Sequence, residues 1–150
     1  MALTLEDVRR VLSPDEPNYA RAQQLGPEAL PLLRQLVAQS GSSVAGKAAY
    51  LAGLIGTEAG AEVVAHAALN PDPAVRVAAA AVAKELALEP AAPILNTLLA
   101  DHDRGVRLRA LRSAAARLTP ALRQRIQKMA ETEKDVAIRK EAISLLGGPQ

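Results

Sequence analysis

The sequence predicts an all-α protein, a right-handed α-solenoid of stacked helix pairs, and three observations carry that prediction. The first is composition: 32 Ala and 22 Leu stand among 150 residues, with no Trp, no Phe and only two Tyr. Ala and Leu lead the helix propensity scale, whereas the β-branched and aromatic residues that favour strands are few. The second is an internal repeat: Val44, Val75, Val106 and Val136 fall 31, 31 and 30 residues apart. The third is punctuation in phase with that repeat, where a polar turn precedes each Val: Ser40-Gly41-Ser42-Ser43, Asn70-Pro71-Asp72-Pro73, Asp101-His102-Asp103-Arg104 and Glu133-Lys134-Asp135. A chain of 150 residues suits one continuous domain, expected as an N-terminal helical cap over 1–26 and four repeats of about 31 residues over 27–150.

In chain order, Leu5 to Leu12 and Tyr19 to Leu25 read as two short helices separated by the turn cluster Ser13-Pro14-Asp15-Glu16-Pro17. Each repeat then opens a first helix near Pro27, Glu58, Pro90 or Pro120, where proline's missing N–H costs nothing in the first turn. The second helices start behind Asp72 and Asp103, side chains suited to N-capping. Val75, Ala79 and Val82, like Val106, Ala110 and Ala114, recur at spacings of three and four and share one helical face. Ala29, Gly60, Ala91 and Ala121 form a small-residue column. Leu32, Val63 and Ile94 give way to Gln124, and Leu33, Val64 and Leu95 to Arg125, so the fourth copy turns polar, as a terminal repeat should. Taking Ile138 rather than Val136 as the last anchor aligns Ala142 with Ala48, Ala79 and Ala110 and predicts a longer fourth turn.

Asp72 and Arg76, Asp103 and Arg107, and Asp135 and Arg139 each stand four residues apart, and the first repeat loses both partners together, at Gly41 and Ala45. Such pairs are expected to cap one helix and tie neighbouring turns. Turn Asp, Val-Arg, and Ala three residues after the Arg, together with Pro31-Leu32-Leu33 and Pro93-Ile94-Leu95, resemble the HEAT-repeat superfamily and are similar to its short bacterial type, over about residues 27–147. The resemblance implies an α-solenoid that binds proteins; minorities of that superfamily bind DNA, excise alkylated bases or handle bilin chromophores.

Several classes of chemistry lack the residues they need. Without Cys there is no disulfide framework, thiolate metal site or Cys nucleophile, and a reducing compartment is favoured. No apolar run approaches the roughly 18 residues of a membrane span, and the first ten residues lack signal-peptide character, so a cytoplasmic protein is expected. His66 and His102 are the only histidines, with Asp101 and Asp103 merely flanking His102, too few convergent ligands for a metal. Gly53, Gly56 and Gly60 end one helix and open the next, and are expected as C-caps rather than a phosphate cradle. Glu58 and Glu62 suit a helix N-terminus. No cofactor is expected, and the chain reads as a non-enzymatic interaction module.

Two surfaces remain as candidates. The first helices carry one column that is polar in all four copies, Gln35, His66, Thr97 and Gln127, where a solenoid would read an extended protein segment or partner helix. Arg123 and Lys128 at its basic end would select an acidic region. Charge supports that polarity: residues 1–100 carry 7 basic and 10 acidic side chains, a net −3, and residues 101–150 carry 11 and 6, a net +5. The second candidate is the acid-free stretch holding Arg104, Arg107, Arg109, Arg112, Arg117, Arg123, Arg125 and Lys128, the alternative being nucleic-acid binding there. Missing Trp and Phe weigh against base stacking.

Overall fold

A computed structural model describes residues 2–39 and 41–147; Ser40 of the first turn, the Ser42 side chain and residues 148–150 of the fourth repeat lie outside the described residues. The chain order is α1 (Leu5–Leu12), α2 (Tyr19–Ala22), two 3₁₀ turns (Gln23–Leu25 and Pro27–Ala29), α3 (Leu30–Gln39), α4 (Ser42–Ile55), α5 (Glu58–Ala67), α6 (Pro73–Val82), a 3₁₀ turn (Ala83–Glu85), α7 (Leu88–Leu99), α8 (Arg104–Ala116), α9 (Pro120–Thr132) and α10 (Val136–Leu145). No strand occurs among the described residues.

Helix starts follow local chemistry. Thr4 and Asp7 form a reciprocal capping box on α1; Asn18, Thr57 and Thr119 cap α2, α5 and α9. Asp72, Asp103 and Asp135 cap α6, α8 and α10 by accepting from Ala74, Val106 and Ile138 N–H. Pro73 and Pro120 occupy the first helical position. Two expected starts shift: Pro27 opens a 3₁₀ turn that precedes α3, and α7 begins at Leu88, two residues before Pro90.

The helices stack in two layers. The first helices α3, α5, α7 and α9 pack in sequence, the second helices α4, α6, α8 and α10 do likewise, and α1 leans on both α3 and α4. One continuous core lies between the layers, from Val8 through Leu33, Leu51, Val64, Leu95 and Leu111 to Ile138 and Ala142. In the fourth repeat Ile138 is fully buried while Val136 is 51% exposed. Ile138 is therefore the anchor equivalent to Val75 and Val106, each three residues after its capping Asp.

Small residues set the helix spacing. A Cβ on Gly60 would stand 2.4 Å from the Ala52 carbonyl oxygen, and one on Gly53 would stand 2.5 Å from Val82 Cγ2. Of the three glycines expected as C-caps, only Gly56 is one, at φ 77°; Gly53 and Gly60 serve close helix approach instead.

Candidate protein-binding surface

The turns between first and second helices carry an arginine ladder. Arg76 lies on the second turn of α6, is 6% exposed, and turns its Nη1 edge onto its own turn, donating to the Asn70 and Pro71 carbonyls at 2.9 and 3.0 Å. Its Nε and Nη2 face the next repeat and grip both Asp101 oxygens at 2.8 and 3.1 Å, the bidentate geometry that a guanidinium fork favours. Arg107 repeats the pattern, with Nη1 on the Asp101 and His102 carbonyls and Nε and Nη2 on Glu133 Oε1 at 3.1 and 2.7 Å. The expected Asp–Arg pairs four residues apart are thus divided: the Asp caps its helix, and the Arg binds an acid 25 or 26 residues on. The signal for this stood in the sequence at Asn70, Asp101 and Glu133, each two residues before a capping Asp. The first repeat has Ala45 in place of the arginine, and the following turn has Asn70 in place of the acid.

Electrostatics follow the ladder. Burial by itself would raise the Asp101 pKa; the Arg76 fork and the Asp103 N–H hold it below the ordinary carboxylate value. Asp135 is lowered to about 2, first by its hydrogen bond from Arg104 and then by the Ile138 N–H.

The basic stretch is less free than its linear sequence suggests. Arg104 pairs with Asp135 at 2.7 Å, Arg107 with Glu133 and Arg112 with Glu141. Arg117 donates to the Lys84 and Leu86 carbonyls, and Arg125 donates to Asn96 Oδ1 at 3.2 Å. The neutralising acids come from α10 and the turn before it, outside the acid-free run. Arg109, Arg123 and Lys128 are exposed and have no ion pair among the described residues.

The polar column is exposed in every copy: Gln35 on α3, His66 on α5, Thr97 on α7 and Gln127 on α9. Gln35 donates to Gln39 Oε1 at 3.3 Å. Arg34 Nη2 lies 2.8 Å from His66 Nε2; since guanidinium only donates, Nε2 is the acceptor of this contact. An open groove between α3 and α5 runs beside the column, lined by Pro27, Leu30, Pro31, Arg34, Glu58 and Glu62. Sequence reasoning missed one feature on the opposite, second-helix face: Tyr19 and Tyr50 meet with ring centroids 4.9 Å apart beside Gly46, Lys47 and Ala78. The two tyrosines lie 31 residues apart but in non-equivalent elements, so the repeat could not bring them together on paper. No cluster of three metal-ligating side chains occurs among the described residues, and no described helix is long and apolar enough to cross a membrane.

No family model matches the chain, and no curated protein is similar to it in sequence. Its structure is similar to one chain of a solved structure, that of the complex of CpcE and CpcF of phycocyanin lyase from Nostoc sp. PCC7120, with 18% identity, a TM-score of 0.76, and coverage of 94% of this chain and 96% of that chain. This likeness shows the fold, an all-helical solenoid of stacked helix pairs.

Proposed function

We propose that the chain is a non-enzymatic, HEAT-like scaffold that binds a protein segment along its first-helix face, with the cap at 1–26 and the repeats at 27–150 forming one continuous domain in the cytoplasm. The observation that carries the reading is the column Gln35, His66, Thr97 and Gln127, exposed on the first helix of all four repeats, α3, α5, α7 and α9. An open surface of this kind recognises extended partners. Arg123 and Lys128, on the same helix as Gln127 and without ion pairs among the described residues, select an acidic region of the partner. With no Trp or Phe and both Tyr on the opposite face, the arginines carry the anchoring usually shared with aromatics, so affinity is modest and salt-sensitive. Affinity capture from the native cell with the tagged chain, read by mass spectrometry, tests this. Simultaneous alanine substitution of the four column residues releases the retained partner, and retention by that variant, with loss on altering the second-helix face instead, overturns the surface assignment.

A second reading follows from the structural neighbour, which is a phycocyanin lyase complex: the chain assists chromophore attachment. Titration of the purified chain with a free bilin, followed by visible absorbance, distinguishes this from the scaffold reading, because only the chromophore reading predicts a saturable spectral change.

A further inference from the structure

The ladder has a third arginine whose acid is absent among the described residues. Arg139 stands four residues after the capping Asp135, as Arg76 does after Asp72 and Arg107 after Asp103. Its Nη1 donates to the Glu133 carbonyl at 3.0 Å, six residues back, the same bond that Arg76 makes to Asn70 and Arg107 to Asp101. Arg139 Nε and Nη2, the atoms by which Arg76 and Arg107 meet Asp101 and Glu133, have no hydrogen-bond partner among the described residues.

The stripe containing Arg139 repeats as well. Positions four, eight and eleven after each cap are Arg76, Ala80 and Ala83 on α6 and its 3₁₀ extension, and Arg107, Leu111 and Ala114 on α8; the apolar four of these six are fully buried. The helix that carries this stripe packs on the following repeat, where Arg76 reaches Asp101 and the Ser113 hydroxyl donates to the Ala80 carbonyl at 2.5 Å. On α10 the same stripe is Arg139, Ile143 and Leu146, all only half-buried. Its side chains are bulkier than Ala80 and Ala83, whereas the neighbouring α9 turns polar at Gln124 and Arg125. A solvated end needs the second pattern and not the first.

Charge specifies what covers the stripe. The acids of α10 and of the turn before it, Glu133, Asp135 and Glu141, are all drawn back to α8 by Arg107, Arg104 and Arg112. Lys134, Arg139 and Lys140 have no ion pair among the described residues. Two copies meeting end to end here would oppose like charges.

We infer that the Arg139–Ile143–Leu146 stripe of α10 is a docking site for an acidic helix of a partner protein, whose Asp or Glu takes the Arg139 fork as Glu133 takes that of Arg107. This site is separate from the first-helix column. The test places a photo-crosslinking p-benzoylphenylalanine at Ile143 of the full chain in its native cells, with the exposed Ser144 position as control. The expected result is an adduct with another protein, attached within about one helical turn, ~4 residues, of an Asp or Glu. Arg139→Gln lowers the adduct about tenfold or more, and Arg139→Lys, which keeps the charge but loses the fork, lowers it less. Both variants retain wild-type circular dichroism, and alanine substitution of the four column residues leaves the adduct unchanged. An adduct indifferent to Arg139→Gln, formed with nucleic acid, within one polypeptide or with a second copy, or no stronger than that at Ser144, overturns the inference.

Discussion

At the scale of single residues, the most sensitive polar contacts are those of a few charged side chains whose partners lie one repeat away. Arg76 and Asp101 are both nearly inaccessible, with side chains 7% and 9% exposed. Removing one partner leaves the other's charge buried, which costs roughly 3 kcal/mol or more. Arg76→Ala is therefore expected to lower unfolding stability by about 3 kcal/mol in urea denaturation, far more than Arg104→Ala, whose side chain is 57% exposed and whose pair belongs to a class worth roughly 0 to 1 kcal/mol. Asp135 adds a pH dependence. Its folded pKa of about 2 lies below the unfolded value of about 3.9, so its contribution is fully present above about pH 5 and is lost as pH falls through 2. Asp135→Asn keeps a competent N-cap and removes the titration. The variant should show a shallower loss of melting temperature between about pH 5 and 2 than the wild type, and equal slopes would refute this role for the Arg104 pair.

At the scale of elements, the helices were legible where capping and period agreed and illegible where tertiary packing decided. Asp72, Asp103 and Asp135 cap the helices they were expected to cap, since that bond is local. Ile138 proved the fourth anchor because burial, and not the nearest Val, defines the column. Gly53 and Gly60 were read by local geometry as caps, but their reason is contact with α6 and with the end of α4, which no local signal contains. Gly60→Ala forces its new methyl against the Ala52 carbonyl, a fixed backbone group, and is expected to cost about 1 to 3 kcal/mol by overpacking. Gly56→Ala acts through a positive φ at an exposed cap and costs about 1 kcal/mol. Thermal denaturation of both variants separates close helix approach from cap strain.

At the scale of the whole molecule, the solenoid was legible because its period recurs four times, and each recurrence places another amphipathic pair on the last. The surface was legible only in part. The column Gln35, His66, Thr97 and Gln127 is exposed as the period predicted, because exposure on a repeated helix face follows from phase alone. The basic stretch was overestimated, since Glu133, Asp135 and Glu141 reach back across the stack to Arg107, Arg104 and Arg112, and linear spacing carries no record of such pairs. The first-helix face is the surface we propose for binding a protein segment. Hydrogen exchange of the purified chain, alone and saturated with its captured partner, tests it most directly. Protection on binding is predicted along α3, α5, α7 and α9 and abolished by alanine at the four column positions; protection confined to α4, α6 and α8, with those alanines tolerated, would contradict it.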